Sequence, residues 1–174
     1  MLVWEKLRER VWHSIVKRPN RKSSIWSLSL KRQIRLHLQG LPVGRVTITK
    51  QFPQAVSIHG REGEILQVLS NLFLNALDVL PEQDAKFRLR IRIVGKRVHM
   101  AIADNGQGIP TALRASLFKP DATGKSKGTG VGLWLSRQIM DRHSGTIRFR
   151  SSRRVGDSGT VFLLTIPVAQ VHDR

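Results

Sequence analysis

The hydrophobic pattern is densest over residues 63–80. Ile65, Leu66, Val68, Leu69, Leu72, Phe73, Leu74, Ala76, Leu77, Val79 and Leu80 cover most of a helical circumference there. A helix apolar nearly all round is a buried helix. One polar stripe interrupts it: Gln67, Asn71, Asn75 and Asp78 recur at spacings of four, four and three, so they share a face. Buried amides and carboxylates are costly unless satisfied, so the stripe needs either solvent or a bound polar ligand. Pro81 is expected to end the helix.

The period then changes. Phe87, Leu89, Ile91 and Ile93 alternate with Arg88, Arg90 and Arg92, which predicts a half-buried strand over residues 87–94. Gly95-Lys96 is a tight turn, residues 97–103 are the hairpin partner, and Asp104 falls at the strand end. Residues 111–127 read as a polar loop with one helical turn at 111–117. A helix over 131–143 follows, with Gly145 placed to cap it. Strands at 146–151 and 159–166 are joined by a turn at 153–158.

Upstream, residues 45–50 and 55–59 read as short strands around Pro53. Residues 1–18 and 25–39 read as helices; Leu30, Ile34 and Leu38 stripe the second, which ends at Gly40. The whole predicts an α+β two-layer sandwich: a mixed, largely antiparallel sheet with helices packed on one face. The expected organisation is an N-terminal helical segment over 1–40, a main domain over 41–169 and a tail over 170–174.

Composition narrows the function classes. The chain has 174 residues and no cysteine, which excludes a disulfide framework and a cysteine metal site. No apolar run approaches the ~20 residues of a membrane span. The first residues lack the apolar core of a signal peptide, so a soluble, cytoplasmic chain is the expectation. The formal net charge is +18, with twelve Lys/Arg against two Glu in residues 1–60. Such an excess suits an acidic partner or simply a solvated basic surface. The row Arg88, Arg90 and Arg92 could face nucleic acid, but Trp4, Trp12, Trp26 and Trp134 are not interleaved with it as a stacking platform requires. Nucleic acid is therefore the less favoured partner.

Candidate chemistry collects in two glycine clusters. One is Asp104-Asn105-Gly106-Gln107-Gly108. The other is Lys127-Gly128-Thr129-Gly130-Val131-Gly132-Leu133, which runs into a helix N-terminus. A first helical turn has free N–H donors and positive dipole character, so it attracts phosphate; Lys125 and Lys127 add charge. Familiar phosphate motifs do not match. Gly124-Lys125-Ser126 looks like the end of a P-loop, but Lys119 stands where that motif needs Gly, and a dinucleotide fingerprint would need Gly at Leu133.

Taken together, Asn71 and Asn75, the Asp104–Gly108 cluster, Leu117-Phe118-Lys119-Pro120, the Gly128–Leu133 cluster and the closing Gly159-Thr160-Val161-Phe162 occur in an order that resembles the ATP-binding catalytic domain of sensor histidine kinases. That family belongs to a superfamily shared with gyrase, MutL and heat-shock chaperone ATPases. The resemblance covers about residues 45–167 and implies a Bergerat-type ATP-binding fold. It implies ATP and Mg²⁺ as cofactors, with Asn75 as metal ligand and Asn71 beside the phosphates as the candidate catalytic residue. Asp104 would accept a hydrogen bond from the adenine amino group, and Gly106 and Gly108 would let the backbone pass close to the base. Phe118 would belong to a lid, and Lys125 would reach the phosphate tail. Gly128, Thr129, Gly130, Val131, Gly132 and Leu133 would close over the triphosphate.

An amide at Asn71 bears on the reaction. ATPase branches of the superfamily commonly carry a Glu there to activate water, and an amide cannot serve as a base near neutral pH. The resemblance therefore implies phosphoryl transfer to an acceptor that brings its own nucleophile. The expected partners are a phosphoacceptor His domain and a downstream response regulator of a two-component system, with dimerisation through a helical domain supplied elsewhere. The chain departs from the family in lacking an obvious acceptor: His13 is followed by Ser14 and His37 by Leu38, neither acidic. His59, His99 and His143 are read as structural. Asp121-Ala122-Thr123 departs from the aromatic-rich lid of relatives. The competing reading is a nucleotide-binding regulatory module, anti-sigma-like or scaffold, that transfers nothing.

Overall fold

The computed structural model of the chain describes residues 46–51 (as backbone), 60–120 and 130–168. Five strands form one sheet in the order β1-β2-β3-β5-β4: β1 (Val46–Gln51), β2 (Ala85–Val94), β3 (Arg97–Asp104), β4 (Thr146–Arg154) and β5 (Asp157–Pro167). β1 runs parallel to β2, and the other neighbouring pairs are antiparallel. Two longer helices, α1 (Glu62–Leu77) and α3 (Val131–Arg142), cover one face; short α2 (Thr111–Arg114) lies in the connection between them. The α+β architecture expected from the alternating periods is the one observed.

The sheet is two-faced because its strands alternate. Phe87, Leu89, Ile91, Met100, Ile102, Leu164 and Ile166 point at the helices and are almost fully buried with Leu72, Phe73 and Met140. Burying one such side chain contributes about 1.5–3 kcal/mol. Phe73 of α1 meets Phe87 of β2 edge-on, with ring centroids 5.5 Å apart. The opposite face carries a narrow apolar strip, Ala101, Ala103, Val161 and Leu163, flanked by arginines of β2 and β4.

Helix α1 stops at Leu77 rather than at residue 80. The Val79 and Leu80 amides donate to Ala76 and Leu77, so the last residues wind into a turn. Pro81 excludes the helical conformation from the residue before it. Nor is α1 buried all round: Leu74 is 51% exposed. The cap of α3 also differs from expectation. Ser144, not Gly145, takes the left-handed conformation (φ 51°); its N–H donates to Asp141, and that of Gly145 to Met140. This is a Schellman closure. Gly145 is glycine for space, since a Cβ there would lie 2.8 Å from the Thr165 carbonyl. Strands β4 and β5 run further than their apolar pattern, because their outer ends pair through the backbone with polar side chains: Arg153 and Arg154 are exposed, and Asp157 is buried. Their turn shortens to Val155-Gly156, with Gly156 at φ 75°. The expectations for residues 1–45 and 52–59 lie outside the described residues.

Candidate functional site

Asp104 ends β3, opposite Phe87 on one side and Thr160 on the other, and its side chain lies on the helix-facing side. It is only 3% exposed. Its Oδ1 accepts from the backbone N–H of Gly106 (2.9 Å) and of Thr160 (3.2 Å). Burial pushes its pKa up to about 6, against the opposing pull of these two bonds. Both bonds go to Oδ1, and Oδ2 accepts none among the described residues.

The residues after Asp104 are held by the protein itself. Asn105 Oδ1 accepts from the Lys86 N–H (2.7 Å) and its Nδ2 donates to the Asp84 carbonyl (2.8 Å), stapling the end of β3 to the start of β2. Gly106 passes so close to α1 that a Cβ would overlap the Val79 carbonyl and lie 2.6 Å from Val79 Cγ2. At Gly108 (φ 74°) a Cβ would collide with the Ser152 carbonyl. The Ile109 N–H donates to Ser151 Oγ (2.8 Å), and Arg114 reaches the carbonyls of Ile109 and Ser151. Packing against its own chain thus accounts for both glycines before any ligand is considered.

The second cluster is built differently. Gly130 caps α3 in the left-handed conformation (φ 67°), with no side-chain hydrogen bond to the helix start. Val131 is exposed, and Leu133 packs against the core. The first turn is tied to α1 by Asn71, whose Nδ2 donates to the Gly132 carbonyl (3.1 Å) and to Ser136 Oγ (3.3 Å). Gln67 in turn donates to Asn71 Oδ1 (3.2 Å). Lys125, Gly128 and Thr129 lie outside the described residues.

Helix α1 is therefore common to both clusters. Asn71 touches the start of α3, and Val79, just past the helix end, touches Gly106. Asn75 stands midway, four residues from each and half-buried. At about 1.5 Å of rise per residue the two contacts are roughly 12 Å apart along the axis. Of the polar stripe predicted from spacing, Asn71 and Asn75 are half-buried, and Gln67 and Asp78 are exposed. Phe118 is half-buried against Phe149, with ring centroids 5.9 Å apart, which anchors the base of the long loop.

Several partners in this arrangement escape sequence reasoning. Thr160 contacts Asp104 through its backbone, so only register reveals it. Asn105 and Ser136 act within the chain. His143 is the clearest: Nε2 accepts from the Arg61 N–H (3.0 Å) while Nδ1 lies 2.8 Å from the Ile139 carbonyl, so the ring latches the end of α3 to the start of α1. Its structural reading holds, and the ring packs so close to Gly60 that a Cβ there would overlap the imidazole.

Comparison with known proteins shows the family. Residues 60–170 match the family model described as histidine kinase-, DNA gyrase B- and HSP90-like ATPase. The sensory histidine kinase/phosphatase NtrB of Escherichia coli O157:H7 is 34% identical over 152 residues, 82% of this chain and 40% of that protein. The C4-dicarboxylate transport sensor protein DctB of Rhizobium meliloti (strain 1021) is 34% identical over 118 residues, 67% of this chain and 18% of that protein. The chain thus spans well under half the length of these relatives. Among solved structures, the catalytic domain of histidine kinase ThkA superposes with a TM-score of 0.62 at 26% identity, covering 82% of this chain and 88% of that one. The mycobacterial sensor histidine kinase MprB shares the fold, with a TM-score of 0.63 at 19% identity over 84% of this chain and 95% of that one. By the family model and by these relatives, the chain belongs to the histidine kinase-, DNA gyrase B- and HSP90-like ATPase family.

Proposed function

We propose that this domain binds Mg-ATP and transfers its γ-phosphoryl group to a histidine on a partner segment, as the kinase domain of a two-component sensor. The carrying observation is that α1 joins the buried carboxyl of Asp104, through Val79 and Gly106, to the uncapped start of α3, through Asn71 and Gly132. Asp104 Oδ2 would accept from the adenine amino group, and guanine, which offers a carbonyl there, would be refused. The free N–H groups of the first turn of α3 would take the phosphates, with Lys125, Gly128 and Thr129 closing over them.

Asn75 would hold Mg²⁺ through its side-chain oxygen, which suits a hard cation. Among the described residues no cluster of three or more His, Asp or Glu could hold a metal. The ion would therefore take its other ligands from the triphosphate and water. Bound Mg²⁺ supplies charge neutralisation on the phosphates. The chain's own residues bind and orient: Asn71 fixes the start of α3 and, as an amide, takes no proton. The bond from the γ-phosphorus to the bridging oxygen breaks, a bond to the acceptor imidazole nitrogen forms, and ADP leaves. Such transfer rests on positioning and charge stabilisation. No helix among the described residues is long and apolar enough to cross a membrane, and we place the domain's work in the cytoplasm.

The test is direct. The chain is incubated with γ-labelled ATP, Mg²⁺ and candidate histidine-bearing helical hairpins from two-component kinases. Acid-labile label on a hairpin is the expected result. Nucleotide binding without label on any hairpin would favour the regulatory-module reading. Unchanged ATP affinity in Asp104→Asn would remove that residue from the site.

A further inference from the structure

The outer face of the sheet and its β4 edge lie away from the nucleotide site and are not used by it. We propose that the β4 edge, over residues 146–150, receives an extended acidic segment of a partner protein as a sixth strand. This goes beyond the kinase reading and does not depend on it.

Backbone direction is the first argument. β4 is the last strand of the sheet and, among the described residues, pairs only with β5. The Thr160 N–H is turned toward β3, where it donates to Asp104. Its pairing with Ser151 on the other side is therefore of the type that exchanges no backbone hydrogen bonds, and Ser151 turns its own N–H and C=O toward the free edge. Arg114 finds the Ser151 carbonyl and donates to it (3.1 Å). Strand alternation then turns the N–H and C=O groups of Ile147 and Phe149 to the same edge. Arg114 blocks the edge at Ser151, so the open stretch is residues 146–150, about 17 Å of strand.

Charge complementarity identifies the occupant. Arg148 and Arg150 are exposed on the outer face, opposite Leu163 and Val161 of β5. In an antiparallel addition, Ile147 and Phe149 would form the hydrogen-bonded pairs. Arg148 and Arg150 would then form the non-hydrogen-bonded pairs, where opposing side chains stand closest. A segment with carboxylates at alternate residues places one beside each guanidinium, in the fork geometry arginine favours. The exposed Arg153 and Arg154 at the hairpin end extend the positive field beyond the blocked position. Strand addition of this kind draws affinity from main-chain pairing and specificity from alternate side chains. A nucleic-acid backbone would meet the charges but could not complete the ladder, which offers N–H donors and C=O acceptors together.

The probe is an end-capped, fluorescently labelled peptide of alternating Glu and Val, seven residues long, with a Lys/Val peptide as control. Anisotropy measures binding, and amide hydrogen exchange by NMR reports on the edge. Expected are selective binding of the Glu/Val peptide, slowed exchange at Ile147 and Phe149, and a loss of about tenfold in affinity in the double variant Arg148→Glu, Arg150→Glu. Unchanged circular dichroism and unchanged ATP binding in that variant keep the result clear of misfolding. Failure of the Glu/Val peptide to bind at millimolar concentration overturns the proposal. So does binding that leaves exchange at Ile147 and Phe149 unaltered, or a short DNA duplex that outcompetes the peptide without protecting those amides.

Discussion

The two glycine clusters look alike in sequence and are built on opposite plans. After Asp104 the backbone is fixed at nearly every residue: Asn105 staples it to β2, Gly106 lies on Val79, Gly108 lies on Ser152, and Ile109 is held by Ser151. At the start of α3 the described chain is held by Asn71 and by Leu133, which packs against the core, and the helix start carries no side-chain cap. Glycine in the first cluster makes room for the protein's own atoms. In the second, a Cβ at Gly132 would meet only an ordinary contact with Asn71. Under the proposed function, a site that would read a rigid base at one end and release a changed phosphate chain at the other has reason to be stiff in the first place and open in the second.

Gly106→Ala tests the stiff end most severely. Its Cβ would overlap the Val79 carbonyl, a backbone atom that cannot swing away. Overpacking of this kind costs about 1–3 kcal/mol and occasionally more, and the upper end is expected here. Thermal or urea unfolding measures it. A loss below about 0.5 kcal/mol would show that the Val79 turn yields, and the contrast between the clusters would lose its basis.

Asp104 gives the next effect, and its sign follows from burial. Its folded pKa is raised from the ordinary carboxylate value of 3.8 to about 6, so between those values the folded state holds the extra proton. Stability is therefore fully present below about pH 4, falls as pH rises through about 6, and then levels off; the drop is about 3 kcal/mol for a shift of this size. Asp104→Asn should flatten that window in urea titrations run from pH 3.5 to 7. Nucleotide binding has the opposite slope. An adenine amino donor favours the ionised carboxylate, so ATP affinity should weaken as pH falls through about 6, and the Asn variant should lose both the affinity and its pH dependence.

Asn71→Ala removes the tie between α1 and α3. Two hydrogen bonds to α3 and the one from Gln67 disappear, and Ser136 keeps its bond to the Gly132 carbonyl (2.8 Å). A half-buried site of this kind loses about 1 kcal/mol. The sharper readout is exchange of the first-turn amides of α3, which should speed up while those after Asp104 stay protected. Equal acceleration in both clusters would mean that they are coupled through α1 rather than independently built.

What the sequence could reveal divides along the same line. Patterns that repeat were legible: the alternation over Phe87–Ile93 gave a strand and its buried face, and Asn71 and Asn75 one turn apart gave a half-buried polar face of a helix. Glycine was legible as spacing but not as cause, because nothing local says whether the absent Cβ would meet Val79, Ser152 or a ligand. Contacts between distant segments were illegible for the same reason. His143 reads as a lone histidine until the fold brings Arg61 beside it, and Thr160 joins Asp104 only through the β3–β5 register. The left-handed residue after α3 was assigned to Gly145 on propensity, and crowding by Thr165 and Met140 shows why glycine stands there while Ser144 takes the strain.

The smallest expected effect on stability is the most telling for function. At Gly132 a Cβ would meet Asn71 Cγ at 3.6 Å, an ordinary contact, and no positive φ forbids a side chain. Alanine is the better helix former by up to about 1 kcal/mol, so Gly132→Ala should fold at least as well as the native chain. If the second cluster keeps its glycines to let phosphate reach the helix start, the same substitution should weaken ATP binding severalfold while leaving the unfolding midpoint level or higher. The pairing of those two measurements decides the matter. A variant that is more stable and binds ATP as before would make Gly132 a helix residue like any other, and only Gly130 among the described glycines would then carry the claim of openness.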